Sequence, residues 1–500
     1  MILVSIISLG IIIRLFFIRF NKKLWAYFAD GPYGDASTYL FLIQFFRKYK
    51  CGEPDKRCLI TQKPVLVPSL YLKTVASLFS DRLLFAYSWL PNFLLYSVVS
   101  SFFILFLFWY FGSVNIYFIY VVLIFITLPD NLSLDKHRIQ FAVLQPRFLG
   151  MVANSAFWFI YCFYGLENIG FFIMIFFAFI SLNTSIFSRQ SIIFLCLICS
   201  ILSFNSILIL ILFIASFFSI IFYPKEFIPS LLPQIQYSYQ YYLNYYKPKL
   251  SGNRIINFAK NLISRPVLDS YPYIMFFITF FISIFFYINT NRQLSNDINL
   301  IAQRVLYIYI SIFIVFIFTG VRKFAFLGEC WRYISFNSYF ITPLIFVIFI
   351  NNFNIPNLLF HCFSIGFILF NILILFATKR DVLVNKNIWL TSLLENNKEH
   401  FRSTIWYGVP YRVSTLAVAL GYGNSTFEYQ YGNHSKEIHD EYFSSYPYLK
   451  WDETLLDNNG VTHLLVENEL LKSAFNASGF DTRGLKVIDS NSHFSIFEYS

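Results

Sequence analysis

Along the first three quarters of the chain, apolar stretches long enough to cross a bilayer alternate with polar breaks. A span needs roughly 20 apolar residues and satisfies its own backbone only as a helix, so these stretches read as membrane helices. They fall near residues 2–20, 83–111, 114–129, 148–165, 170–187, 191–203, 205–222, 272–289, 299–319, 335–350 and 356–377. The pattern predicts an α-helical polytopic membrane bundle of about eleven helices. The first run, Ile2 to Phe20, lacks a basic leader and a small-residue cleavage site, and reads as a retained helix rather than a signal peptide.

The stretch 191–222 admits two readings: one long tilted helix, or two short ones broken at "SFNS". With two, every long polar segment (21–82, 130–147, 223–271, 320–334 and the C-terminal tail) falls on one side, and the other side keeps tight turns such as "FGSVN" and "GLENIG". With one, the face changes halfway and the loops scatter. The long loops carry most of the lysines and arginines, but loops of that length translocate largely regardless of charge, so the bias does not orient them.

In the first long loop, "DASTYLFLIQFFRKYK" and "PSLYLKTVASLFS" carry apolar residues at helical spacing. They predict interfacial helices that lie on the membrane and line a cavity. After about residue 378 the apolar runs stop. The tail, 379–500, alternates strand-like "STIWYG" and "THLLVE" with a helical "WDETLLDNNG" and a terminal hairpin in "KVIDSNSHFSIFEY". The division is therefore a membrane domain over 1–378 and a small soluble α/β domain over 379–500. The tail has no phosphate loop and no nucleophile elbow, which points to a lid or recognition module.

Composition sharpens the class. Hydrophobic residues make up 57%, aromatics 21% and charged residues 13%, with mean hydropathy +0.58, values outside those of soluble domains. A formal net charge of +11 on such a chain points to anionic headgroups or a phosphate-bearing substrate rather than to nucleic acid. Cysteine spacing matches no metal site. Cys51 and Cys58 share one polar loop, and either pair in an oxidising compartment or remain two thiols.

Ionisable residues at the ends of membrane helices are costly to bury and are functional candidates by default. Asp35 follows the turn "DGPYG" and opens a predicted interfacial helix, a position that suits either a helix cap or a working acid. Lys63, Asp135, His137, Arg138 and Arg147 gather in loops on the same face. Arg147 and Arg332 each precede a membrane helix, where a basic residue serves as a lipid anchor or a substrate ligand.

The order Asp35, Tyr39, Lys63, Pro64, Leu66, Phe79, Arg82, Leu83 resembles the first external loop of GT-C fold glycosyltransferases, especially bacterial relatives of protein O-mannosyltransferases and aminoarabinose transferases. Arg332, Tyr333 and Pro343 in "ECWRYISFNSYFITP" resemble the start of a late membrane helix in that family. The chain departs from the family pattern where Gly34 precedes Asp35 in place of a second acid, where Val65 replaces a proline, and where Asp135 matches the second-loop acid only loosely. The resemblance implies an inverting transferase that moves a sugar from a polyprenyl-phosphate donor to a lipid, glycan or protein acceptor at the external face of a cell membrane. It implies Asp35 as general base, with Tyr39, Lys63, Asp135, Arg138, Arg147 and Arg332 binding substrate, and it leaves a divalent metal open. The competing readings are a transporter or flippase and a polymerase for lipid-linked glycans. The absence of an internal repeat and the clustering of charge at one interface favour the enzyme.

Overall fold

The computed structural model describes residues 35–51, 53, 57, 66–86, 90–113, 115–127, 132–133, 138–139, 144–164, 168–231, 271–290, 296–320, 324, 327, 333–334, 337, 361–362, 364–370, 386–425 and 448–499. The first loop supplies α1 (Asp35–Lys48), α2 (Leu70–Leu78) and α3 (Asp81–Ala86). Apolar helices follow: α4 (Leu90–Phe111), α5 (Ile116–Thr127), α6 (Arg147–Phe163), α7 (Asn168–Thr184), α8 (Ile186–Ser203), α9 (Ile207–Phe222), α10 (Tyr271–Thr290) and α11 (Asn296–Gly320). A two-residue ladder, β1 (Leu132–Ser133) with β2 (Arg138–Ile139), lies between α5 and α6. Within the predicted helix over 83–111 the described residues form α3 and α4, with 87–89 outside the described residues; the predicted span 2–20 also lies outside them, as do most of 335–350 and of 356–377.

By length and composition, Leu90–Trp109, Ile186–Ser203 and Asn299–Thr319 suffice to cross a membrane. Ile116–Phe125, Ile169–Thr184, Ile207–Phe222 and Phe276–Phe285 are shorter apolar helices among the described residues. Their outward surfaces carry aromatic rings such as Phe102, Trp109, Phe172 and Phe213, each about 70% exposed, a surface that suits a lipid solvent.

The ambiguity over 191–222 resolves into two helices. Phe204 closes α8 in the left-handed region at φ 50°, and the Asn205 side chain accepts a 2.9 Å bond from the Ile207 amide that starts α9. α9 then packs back along α7 and α8. The beginnings of α4, α6 and α8 therefore meet the ends of α7 and α9 at one end of the bundle, where α1 and α2 also sit.

The tail folds as a five-stranded sheet of order β4-β3-β5-β7-β6, from β3 (Ile405–Val409), β4 (Asn424–Ser425), β5 (His463–Glu467), β6 (Lys486–Ser490) and β7 (Phe494–Glu498). β3 pairs in parallel with β4 and β5, while β5–β7 and β6–β7 are antiparallel. The central strands are almost wholly buried because both faces are covered. One face (Trp406, Leu465, Ile496) shares a core with α12 (Lys386–Asn396) and α13 (Arg412–Ala419), and the other (Tyr407, Val409, Leu464, Val466) with Leu456 of α14 (Glu453–Asn458) and Ala474 of α15 (Leu471–Ser478).

The first of those cores extends to α1 and α2. Tyr39, Leu40, Phe41, Leu42, Ile43 and Phe45 of α1 are all buried in it, beside Tyr71, Leu72 and Val75 of α2. A helix buried nearly all round is a core helix. α13 covers one side of α1 and α2 another, so the helix is sandwiched between them.

Candidate functional site

At the end of the bundle where these helix ends meet, a small open cleft is walled by Tyr39 and Leu42 of α1, Val67 and Pro68, and Leu72 of α2. Pro146 and Arg147 at the start of α6, with Thr184, Ser185, Ile186 and Phe187 where α7 passes into α8, complete it. Among the described residues the walls are apolar, and the polar groups on them are one guanidinium, one phenol and two hydroxyls.

Arg147 is the first residue of α6 and lies half-buried over the Phe187 ring, 5.2 Å from its centre. Ser185 caps α8, its hydroxyl accepting from the Ser188 amide at 3.1 Å. Two helix N-termini, those of α6 and α8, thus end at one cleft beside a permanent positive charge. Unsatisfied amides and the helix dipole make such ends attractive to anions, and arginine's planar fork adds paired donors. What keeps α6 and α8 this close is Gly150: a Cβ there would stand 2.6 Å from Ser188 Cβ.

The walls are braced from behind by polar contacts in an otherwise apolar setting. Tyr71 donates to Asn92 Oδ1 at 2.8 Å, and Asn92 donates to the Gln145 carbonyl at 3.0 Å, tying α2 to α4 and to the residues before Arg147. Burial pushes the Tyr71 phenol up, so it stays a donor. Glu226, 5% exposed, accepts from the Ser69 hydroxyl and pairs with Lys73. Arg189, fully buried in α8, donates to the Leu182 carbonyl at 2.8 Å and to Ser230 at 2.9 Å, and its guanidinium stands 5.0 Å from the Phe227 ring. Sequence reasoning passed over Arg189 and Glu226. The available signal was an arginine inside an apolar run, "SRQSIIFLC", and a glutamate just after another, "YPKEF".

Of the residues singled out from sequence, the structure brings Tyr39 and Arg147 into one cleft. Asp35 is the first residue of α1, one helical turn before Tyr39; its side chain lies outside the described part. Arg138 belongs to β2, again without a described side chain. Lys63, Asp135 and Arg332 lie outside the described residues, although Tyr333, next to Arg332, packs on Phe194 of α8, and Asn337 bonds to Trp158 of α6 and Ser191 of α8. Cys58 is likewise outside, which leaves the Cys51–Cys58 pairing undescribed. No three His, Cys, Asp or Glu side chains among the described residues come together as a metal site. In comparison with known proteins, the chain matches no protein-family model and no curated protein.

Proposed function

We propose that this chain is a polytopic membrane glycosyltransferase of the GT-C type, with about eleven spans, using a polyprenyl-phosphate sugar as donor and a lipid, glycan or protein as acceptor at the external face of a cell membrane. The observation that carries the reading is the cleft itself. Its apolar walls suit a lipid group, and Arg147 stands at it between two helix N-termini, one turn along α1 from Asp35.

In this reading Asp35 takes the proton from the acceptor hydroxyl or amine as that group attacks the anomeric carbon. The bond from that carbon to the phosphate oxygen breaks, and the departing lipid phosphate carries away the electron pair. Arg147 and the amide ends of α6 and α8 stabilise the charge that develops there, with Lys63, Arg138 and Arg332 as further cations. Attack opposite the leaving group inverts the sugar.

The test is a transfer assay with purified protein, radiolabelled polyprenyl-phosphate sugars and a membrane lipid extract. Asp35→Asn is expected to lower kcat about a hundredfold or more while donor KM changes little. Full turnover in that variant removes the base assignment, and failure of the wild-type protein to transfer from any donor returns the reading to a transporter of lipid-linked glycans.

A further inference from the structure

Among the described residues, every side chain lining the cleft lies between positions 39 and 187, so the C-terminal α/β unit contributes none. Its contact with the membrane domain is nevertheless intimate, and it falls on the helix that opens with Asp35. Gln44 of α1 donates its side-chain amide to the Ala419 carbonyl at the end of α13, at 2.8 Å. The oxygen of the same amide accepts from Arg57 at 3.4 Å. The Arg57 guanidinium also donates to the Phe41 carbonyl at 3.0 Å and lies 3.8 Å from the Phe41 ring centre, a stacked geometry. The Arg57 carbonyl in turn accepts from the Ser425 amide of β4 at 2.8 Å. The connections run in a ring from α1 to α13, along the tail to β4, and back through Arg57 to α1, around the shared apolar core.

We propose that the C-terminal α/β unit is a positioning clamp on α1, acting through Gln44 and Arg57 to hold the helix that carries Asp35 and Tyr39 at the cleft. The proposal rests on the reading of Asp35 as the base. A 14-residue helix is marginal by itself, so its position is set by what packs on it. A general base needs its proton within hydrogen-bond reach, and a displacement of about 1 Å costs on the order of a hundredfold in rate. Arg147 sits at the start of α6, outside the ring of contacts. Loosening the clamp is therefore expected to damage turnover more than donor binding, which keeps Arg147 and loses order only on the Tyr39 and Leu42 side of the cleft.

The experiment uses the full-length protein with Gln44→Ala/Arg57→Ala, and with the milder Arg57→Lys, which keeps the charge but lacks the planar fork. kcat and KM are measured with the polyprenyl-phosphate sugar, and hydrogen–deuterium exchange is followed in peptides covering 35–48 and 147–163. For the double variant kcat should fall about tenfold with donor KM rising by no more than about threefold, while 35–48 exchanges faster and 147–163 does not. Arg57→Lys should move each readout in the same direction by less, and it carries the comparison if the double variant does not fold. Unchanged exchange in 35–48, equal loosening of both segments, or full turnover with α1 loosened would each overturn the clamp. If the wild-type protein transfers no sugar, the enzymatic reading fails by itself; faster exchange confined to 35–48 then still supports the clamp, and unchanged exchange there overturns it.

Discussion

Arg147 shows how one side chain takes its meaning from its surroundings. In sequence it is a basic residue before an apolar run, as common in lipid anchors as in binding sites; in the fold it lies against Phe187 with two helix ends beside it. Lysine keeps the charge but loses the stack and the fork. Donor KM is accordingly expected to rise about threefold in Arg147→Lys and at least tenfold in Arg147→Ala, with stability changed little, as measured by lipid-phosphate titration and a thermal melt. Glu467 in β5 makes a separate prediction. It is 1% exposed, and burial, reinforced by Glu469, pushes its carboxyl up to about 7. The unfolded chain releases that proton near the ordinary carboxylate range, so between roughly pH 4.5 and pH 7 the folded state binds more protons and this group's contribution to stability falls as pH rises. The total is on the order of 3 kcal/mol. Melting curves from pH 4.5 to 7.5 should show Glu467→Gln gaining on the wild type as pH rises; a constant gap between them contradicts the assignment.

Packing between elements rests on a few close approaches that hydropathy does not register. Gly150 and Ser188 meet where α6 crosses α8, and the atoms a Cβ would strike are short and fixed rather than the end of a flexible chain. Gly150→Ala should lower stability by about 1–3 kcal/mol and open the cleft between Arg147 and Ser185, seen as a lower melting temperature together with weaker donor binding. Asn337 is a second such joint, accepting from the Trp158 indole at 3.0 Å and donating to Ser191 at 2.8 Å, so Asn337→Leu should cost about 1 kcal/mol in the same melt. The apolar runs of the chain located α5 to α7 and α9 to α11 to within about three residues, because a lipid solvent demands long apolar helices whatever their neighbours, but missed the starts of α4 (83 against Leu90) and α8 (191 against Ile186). The break at Phe204 was ambiguous for a physical reason. "SFNS" is only mildly polar, and a single left-handed residue capped by Asn205 suffices to end one helix and start the next.

At the scale of the molecule, the division of 186–222 into two helices decides where the loops go. α4 runs from Leu90 beside the cleft to Phe111, about 33 Å away at 1.5 Å per residue, which carries Ser113 to the far end of the bundle. Single cysteines at Ser113 and at Lys472 of α15, both exposed, should therefore react with a membrane-impermeant maleimide from opposite sides of sealed vesicles, in a background free of other cysteines. Labelling of both from the same side would contradict this arrangement. The tail, expected from sequence to act as a lid or recognition module, shares its core with α1, and among the described residues it contributes no side chain to the lining of the cleft.

Local chemistry and periodicity were enough to predict apolar helices, a polar tail of strands and helices ending in a hairpin, and an acid and an arginine at the ends of helices, because each depends on residues close together in the chain. Three things depended on tertiary structure. The meeting of Tyr39 with Arg147 spans more than a hundred residues of sequence and follows from which helix ends share one face. The burial of α1 follows from a tail that begins more than three hundred residues later. Glu226 and Arg189 are isolated charges in sequence, and became visible as a brace only when Ser69, Lys73 and Ser230 were brought around them, since a buried charge is tolerated only with partners that the fold must supply.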